Sequence, residues 1–258
     1  MPIKYDNPYI SKSIASVISQ LGFFEEFLIV SDGASLELKI KIRNLLDKVP
    51  VNKKYKIIEN ESKNIGAGSS RDYGIRIAKA AYIAFIDSDD IWPNNYLKDR
   101  TRHIKETNAL FSASPYIYVN QGLEVINKRM LKVNSIKKRD LLFENPISNS
   151  TVIISRKLII NSGGYSKLKK RNDYATWMKI LQTTECLYCN STHPVLILRR
   201  KDSLTSNKLI LIGYQFKAFK EGGYTFSQSL ILAIVSSVKT LMFHTYGILK
   251  RLLVRYKN

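Results

Sequence analysis

The stretch Tyr82-Ile-Ala-Phe-Ile-Asp-Ser-Asp-Asp-Ile-Trp-Pro93 decides the fold, because it joins a short apolar run to three carboxylates within four residues. Burying unpaired carboxylates costs on the order of several kcal/mol, so a positive charge must lie beside them, either an Arg or Lys side chain or a cation. Mg²⁺ is a natural candidate, since it uses one or two protein carboxylates together with phosphate oxygens of a substrate. We therefore predict a strand end that holds a metal ion for a diphosphate. An aspartate-rich turn is the alternative.

The residues before this stretch alternate between helical and strand-like patterns. A helix is predicted over 8–20, with Ile10, Ile14, Val17 and Leu21 on one stripe. Strands are predicted at 27–30 and 54–59, and helices at 36–49 and at 71–81, the last with Ile75, Ala78 and Ala81 on one face. This alternation predicts a parallel-sheet α/β domain, in which ligands bind at the carboxyl ends of the strands. Asp32, which ends one strand, is therefore expected to meet Asp87 and Asp89.

The later part of the chain adds one more carboxylate at the end of an element. After a helix at 96–107 and strand-like runs at 110–114 and 116–119 comes a polar, basic stretch through Lys138. A short helix is predicted at 156–161, and another at 172–181 with Asp173 in its first turn. A carboxylate there gains up to about 1 kcal/mol from the helix dipole, which is the purely structural explanation for Asp173.

Composition points to an anionic partner. The 258 residues carry 41 Lys and Arg against 21 Asp and Glu, a formal charge of +20. Nucleic acid, an anionic membrane and phosphorylated substrates are the possible partner classes. Residues 198–258 hold eleven of the basic residues, interleaved with apolar ones, a pattern that favours a membrane surface over nucleic acid. A helix packed on the rest of the protein or on a second protomer is the alternative.

The N-terminus, the apolar stretches and the cysteines indicate the cellular compartment. No signal peptide is predicted, because the N-terminus Met-Pro-Ile-Lys-Tyr-Asp is polar. No spanning segment is predicted either, because the longest apolar stretch is far shorter than the roughly 20 residues that a bilayer crossing needs. The two cysteines, Cys186 and Cys189, form a single C-x-x-C with only His193 nearby. We interpret them as reduced thiols rather than as a zinc site, which needs four ligands.

Taken in order and spacing, the motifs resemble glycosyltransferase family 2, the inverting sugar transferases with the GT-A fold. The matching residues are Gln20, Ser31-Asp32-Gly33, Asn64-x-Gly66, Arg71-Asp-x-Gly-Ile75, the Tyr82–Pro93 stretch and Asn172-Asp-Tyr-x-x-Trp177. The chain looks most like bacterial enzymes that extend surface polysaccharides of the teichuronic acid, capsule or O-antigen (lipopolysaccharide) kind. The resemblance implies an α/β GT-A fold with a mixed sheet flanked by helices. It implies a catalytic domain at 1–206, divided into a nucleotide-sugar half (1–93) and an acceptor half (94–206), and a basic amphipathic helical tail at 207–258.

The resemblance also implies roles for individual residues. Asp32 would hold the nucleotide base, commonly uracil, with Pro2 also on the nucleotide side, and Arg71 would lie near the diphosphate. Asp89 would be the direct ligand of Mn²⁺ or Mg²⁺, with Asp87 facing the ribose or supporting the metal, while Asp90 would begin the exit from the strand. Asp173 would be the general base, because an inverting transfer needs one carboxylate to deprotonate the acceptor hydroxyl on the face opposite the leaving diphosphate.

Several positions differ from the family pattern. The family usually begins with an apolar strand, whereas this sequence begins at Met1-Pro2, so we expect a truncated first strand, from a start assigned late or a missing inner strand. Lys4 and Tyr5 stand where an aromatic residue and Asn are usual. Ser31 replaces the first of two aspartates, and Asn172 replaces an acid.

The implied partners are a nucleotide-diphosphate sugar, expected to be UDP-linked, a saccharide or lipid-linked saccharide acceptor, and the anionic inner leaflet. We expect no nucleic acid, and a cytoplasmic enzyme held peripherally on the inner membrane. Two other classes stay open: a catalytically degenerate, basic binding protein at the membrane or on nucleic acid, and a nucleotidyltransferase. Asp89 and Asp173 argue against the first, since a binding module has no need of them. The lack of an N-terminal glycine-rich phosphate loop argues against the second.

Overall fold

The computed structural model describes residues 1–47, 55–60, 66–199 and 208–239. The strands are β1 (Pro2–Ile3), β2 (Phe27–Ser31), β3 (Tyr55–Glu59), β4 (Tyr82–Ala84), β5 (Phe111–Ala113), β6 (Tyr116–Val119), β7 (Val125–Arg129), β8 (Ser135–Ile136), β9 (Ile153–Ser155), β10 (Cys186–Tyr188) and β11 (Val195–Leu198). The helices are α1 (Ile10–Ile18), α2 (Leu36–Leu46), α3 (Ala67–Ile77), α4 (Tyr96–Thr107), α5 (Arg156–Asn161), α6 (Asn172–Ile180), α7 (Lys208–Glu221) and α8 (226–239).

The helix α1 forms where its apolar stripe predicted it. Ile10, Ile14 and Val17 are buried on that stripe. The prediction was wrong for Leu21, which is 36% exposed, because the helix ends at Ile18 and a turn leads into Gly22 with its positive φ of 98°.

The helix α3 lies about four residues earlier than predicted. It spans Ala67–Ile77 instead of 71–81, so Ala81 lies beyond its end and is exposed, while Ile75 and Ala78 are buried as expected. Two glycines made the start of the helix look like a loop. Gly66 has a φ of 94° at the N-cap, and Gly68 lies inside the first turn.

The strands form three hydrogen-bonded sheets. Their orders are β1-β2-β3, which is parallel throughout, β4-β9-β5-β10-β8 and β11-β6-β7. The expectation of one parallel sheet over the first 90 residues was wrong for β4, which pairs antiparallel with β9. The mixed α/β architecture with flanking helices is confirmed, and β1 has two residues. The predicted basic stretch before Lys138 contains two unpredicted strands, β7 and β8.

Beside a small cluster of Tyr9, Val119 and Leu198, the described residues form two larger hydrophobic cores. One joins α1, β2 and α2 to Trp92 and Tyr96, and the other surrounds Trp177 of α6. Neighbouring residues of β9 belong to different cores, Ile153 to the first and Ile154 to the second. Phe219 of α7 and Ala233 of α8 are buried in the second core.

The predicted division at 93/94 stays a prediction. The predicted boundary at 206/207 and the part of the tail at 240–258 lie outside the described residues. Between β1 and β4 lies a mostly apolar cavity of about 320 Å³, lined by Pro2, Leu28, Ile83 and Arg71 among others. Cys186 and Cys189 are both free and buried, so they form no disulfide with each other.

Candidate active site

Asp32 lies at the carboxyl end of β2, as predicted, and is buried. Its Oδ2 accepts hydrogen bonds from Lys4 Nζ at 3.4 Å and from the backbone N–H of Gly66 at 3.1 Å. The carboxylate that is predicted to hold the nucleotide base is thus in an ion pair with a lysine. A donor group of an incoming base would compete with Lys4 for this carboxylate.

Arg71 of α3 lies at the centre of the site. Its guanidinium donates to Asp87 Oδ1 at 2.5 Å and to Asn172 Oδ1 at 3.0 Å, and it lies 5.3 Å from the ring centroid of Tyr165. Burial acts to lower the pKa of Arg71, but the adjacent Asp87 and Tyr165 outweigh burial and raise it. Arg71 is therefore a permanent, buried positive charge that joins the loop after β4 to the start of α6.

The three aspartates after β4 have different surroundings. Strand pairing ends at Ala84, and Asp87 has a side chain that is 32% exposed. Asp89 is half-buried. Asp90 is buried and accepts from Ser150 Oγ at 2.5 Å and from the backbone N–H of Leu198 at 3.2 Å. Because the strand ends so much earlier, the interpretation of Asp90 as the start of the strand exit was wrong: it anchors the loop to β11.

Asp173 lies in the first turn of α6, as predicted, and its Oδ2 accepts from Asn145 Nδ2 at 3.1 Å. Burial raises the pKa of Asp173, while the backbone N–H of Tyr174 and the charge of Arg71 act in the opposite direction. A carboxylate whose pKa is raised holds a proton more readily, which suits a group that must accept one. Arg71 forms an ion pair with Asp87, and its charge also lowers the pKa of Asp173. These predicted residues therefore share one site.

Sequence reasoning missed the residues that hold these carboxylates in place. Residues 145–150, here called the bridging segment, contribute Asn145 to Asp173, Asn149 Nδ2 to Asp87 Oδ1 at 3.0 Å, and Ser150 Oγ to the backbone N–H of Asp87 at 3.0 Å. Tyr165 supports Asn149 by donating to its Oδ1 at 2.8 Å. The run Asn-Pro-Ile-Ser-Asn-Ser has turn composition, so only its density of amide and hydroxyl groups could have signalled this role.

A divalent cation fits the residues after β4. Among the described residues no cluster of three or more His, Cys, Asp and Glu side chains could hold a metal ion. Asp87 and Asp89 supply two carboxylates, which suits an ion that takes its other ligands from phosphate and water. Burial is the largest cause that raises the pKa of Asp90, and the negative charges of Asp87 and Asp89 raise it further. Negative charge is therefore in excess here. The ligand roles of Asp89 and Asp87 stay predictions.

The nucleotide-binding roles of Pro2 and Asp32 also stay predictions. Pro2 lies opposite Val30 in the pairing of β1 with β2 and lines the cavity together with Arg71.

No helix in the described ranges has the length and apolar character needed to span a bilayer.

Comparison with known proteins places the chain in a family. The sequence profile of the family described as "Glycosyl transferase family 2" matches residues 1–163. The Escherichia coli protein WfgD, a UDP-Glc:alpha-D-GlcNAc-diphosphoundecaprenol beta-1,3-glucosyltransferase, is 30% identical over 173 residues, which cover 67% of this chain and 64% of WfgD. TuaG of Bacillus subtilis, a putative teichuronic acid biosynthesis glycosyltransferase, is 27% identical over 176 residues, which cover 67% of each chain. The match thus spans a little under two thirds of the length of WfgD.

A solved structure has the same fold. Residues 1–349 of S. aureus TarS, crystallised in complex with UDP-GlcNAc, superpose with a TM-score of 0.68 at 17% identity, over 88% of this chain and 68% of that one. At this identity the likeness shows the fold alone, and it confirms the predicted GT-A architecture. Because the match to this family covers more than half of the chain, the protein belongs to glycosyltransferase family 2.

Proposed function

We propose that this chain is an inverting, metal-dependent transferase that moves a sugar from a UDP-sugar to a lipid-linked saccharide in the biosynthesis of a bacterial surface polysaccharide. One observation carries the proposal: Arg71 joins the carboxylate segment after β4 to the start of α6, where Asp173 lies. This contact supports a common site for the group that would bind the leaving diphosphate and for the base that would act on the acceptor.

Each residue has a separate task in this transfer. Asp32 binds the base, with Lys4 displaced, and Arg71 balances negative charge near the diphosphate. Asp87 and Asp89 would hold Mn²⁺ or Mg²⁺, which supplies charge neutralisation for the departing diphosphate. Asp173 takes the proton of the acceptor hydroxyl as that oxygen attacks the anomeric carbon, so one displacement inverts its configuration.

The relatives support the substrate classes. The name of WfgD specifies a UDP-glucose donor and a GlcNAc-diphosphoundecaprenol acceptor, and TarS was crystallised with UDP-GlcNAc. We extend to this chain the class of donor and the class of acceptor, without the individual sugars. A lipid-linked acceptor would place the enzyme peripherally on the cytoplasmic face of the inner membrane.

The test is transfer from UDP-glucose and UDP-GlcNAc to a GlcNAc-diphosphate-lipid acceptor, with Mn²⁺ or with EDTA. We expect Asp173→Asn to lower kcat about 10²–10⁴-fold, since that is the usual contribution of a general base, while the affinity for UDP is retained. We expect Asp89→Asn to weaken UDP binding in the presence of Mn²⁺ but not in EDTA, because its carboxylate acts through the metal.

Glu185→Gln is the matched control, because it removes an exposed carboxylate elsewhere, and it should behave as wild type. Wild-type activity in Asp173→Asn would contradict the assignment of the base. Equal UDP affinity of Asp89→Asn and wild type with Mn²⁺ would contradict the metal assignment. Binding of UDP without any transfer to saccharide acceptors would favour a degenerate, non-catalytic relative.

A further inference from the structure

The helix α8 buries small side chains and exposes large apolar ones. Ser229, Ala233 and Ser236 are buried against the rest of the protein. The hydroxyl of Ser229 donates to the carbonyl of Tyr224, and that of Ser236 to the carbonyl of Ala233, so both are satisfied locally. These small residues let the helix pack closely, and they leave its larger side chains on the opposite side.

The outward face of α8, defined by six side chains, is apolar and exposed. Its members and their exposed fractions are Phe226 66%, Leu230 44%, Ile231 60%, Ile234 49%, Val235 45% and Val238 51%. Single exposed apolar residues are ordinary, whereas a contiguous face of six marks an interaction surface. A helix of this kind needs a medium of low polarity against it.

Positive charge is in excess over α7 and α8, the helices at and next to this face. Lys239 lies on the same helix with its Nζ 4.5 Å from the ring centroid of Phe143, and Lys138 Nζ lies 4.2 Å from that of Tyr224. Lys217 and Lys220 are exposed on α7. Glu221 is the one acidic residue between positions 208 and 239, and its carboxylate accepts from Ser166 Oγ at 3.0 Å. The apolar outward face of α8 therefore lies on a part of the chain with an excess of basic residues.

We propose that the outward face of α8 is a docking surface for an anionic lipid bilayer, with the aliphatic side chains in the acyl boundary and the lysines at the headgroups. Both halves of the arrangement match this partner, since interfacial helices bind through buried apolar area together with attraction to anionic lipid. A second copy of this chain matches less well, because it would bring the excess positive charge of a second α7 and α8 close to that of the first. The inference rests on the proposed function only in that a lipid-linked acceptor would lie in the same bilayer.

The test is flotation of the full chain with vesicles of phosphatidylcholine, with or without phosphatidylglycerol. We expect binding to the vesicles that contain phosphatidylglycerol. The double variant Ile231→Ser with Val235→Ser should bind them roughly tenfold more weakly or worse, because it removes two aliphatic side chains from the interface. Lys217→Gln and Lys220→Gln should each weaken binding about fivefold, and only to the anionic vesicles.

Val125→Ser with Ile126→Ser is the matched control, since these side chains are 54% and 50% exposed on β7, and it should float as wild type does. Wild-type flotation of the α8 variant, or no flotation of the wild type, would overturn the proposal. So would lipid-free self-association, measured by sedimentation velocity, that the α8 variant abolishes without changing flotation. Transfer to a water-soluble acceptor is measured separately, so a failed transferase leaves the flotation result standing, and the reverse also holds.

Discussion

Asn145 makes a side-chain contact with the predicted base. Its amide donates to Asp173 Oδ2, and a hydrogen bond donated to a carboxylate favours the ionised form. The charged groups that act on Asp173 are Arg71, Arg171 and Asp87. Loss of the amide donor should therefore raise the pKa of Asp173 further.

We predict that Asn145→Ala moves the acidic limb of the pH profile of kcat/KM to higher pH, and that Asn145→Asp moves it further. As pH falls through the pKa of Asp173, the base becomes protonated and can no longer accept a proton, so activity is lost on the acid side. The profile is measured for transfer, with UDP affinity followed in parallel. Asn127→Asp on β7 is the control, and an unchanged limb in both Asn145 variants would rule out the role.

At the scale of single residues, the sequence predicted positions better than partners. Asp32 and Asp173 lie where a strand end and a helix start were expected, because burial periodicity defines such ends. Asn145 and Asn149 could not be predicted, since they meet carboxylates that are 28 and 62 positions away in the chain. Such contacts depend on how a turn-like segment crosses the sheet edge, and no periodicity records that.

The first turn of α3 depends on a close approach that only glycine permits. A Cβ at Gly68 would lie 2.3 Å from the backbone oxygen of Ser166 and 3.1 Å from Asn172 Cβ. An added methyl would push away the segment that leads into α6, and with it Asp173. This is a packing requirement, since the glycine lies within a helix.

We predict opposite effects for two glycine-to-alanine substitutions in helices. Gly68→Ala should lower the free energy of unfolding by about 1–3 kcal/mol through overpacking. Gly213→Ala in α7 meets nothing within 4 Å and should raise it by about 0.5–1 kcal/mol, since alanine is the better helix former. Urea unfolding measures both, and equal signs would contradict the close packing of α3 on the 166–172 segment.

At the scale of elements, amphipathic helices were the best predicted. The helices α1, α4, α5 and α6 start close to the expected residues, because one buried face imposes the 3.6-residue period. The strand β7 was missed because its side chains are mostly exposed and carry no alternation, and β8 has only two residues. The glycines that permit close packing of α3 made its first turn resemble a loop.

At the scale of the whole molecule, the two hydrophobic cores behave as one unit if β9 joins them. Each core contains one of the two tryptophans, Trp92 in the first and Trp177 in the second. Trp92 also donates from its indole to the carbonyl of Ser150 at 2.8 Å, next to the site. Fluorescence can therefore report the two cores separately.

We predict that the variants Trp92→Phe and Trp177→Phe each unfold in urea with one midpoint, the same by fluorescence and by far-UV circular dichroism. The remaining tryptophan then reports one core, while circular dichroism reports the whole fold. The reason is that Ile153 and Ile154 tie both cores to a single strand. Separate midpoints in either variant would show that the cores unfold independently.

The pairing of β4 was the part of the global fold that local patterns could not supply. Alternation of strands and helices predicted a parallel partner, whereas β4 pairs antiparallel with a strand about seventy residues later. Antiparallel pairing with a distant strand leaves no mark on the sequence of β4 itself. The predicted α/β class was still correct, because the alternation of strands and helices and the polar residues at the carboxyl ends of the strands were predicted correctly.

We predict that the bridging segment makes the binding of the two proposed substrates, UDP-sugar and acceptor, thermodynamically dependent on each other. A ligand that draws Asp87 away from Asn149 pulls on the same short segment that carries Asn145 to Asp173. By linkage, an acceptor that changes the affinity for UDP must have its own affinity changed by UDP by the same factor, about 5–150-fold in typical cases. Calorimetric titration of UDP with and without acceptor should reveal this reciprocity, and Asn149→Ala should reduce it.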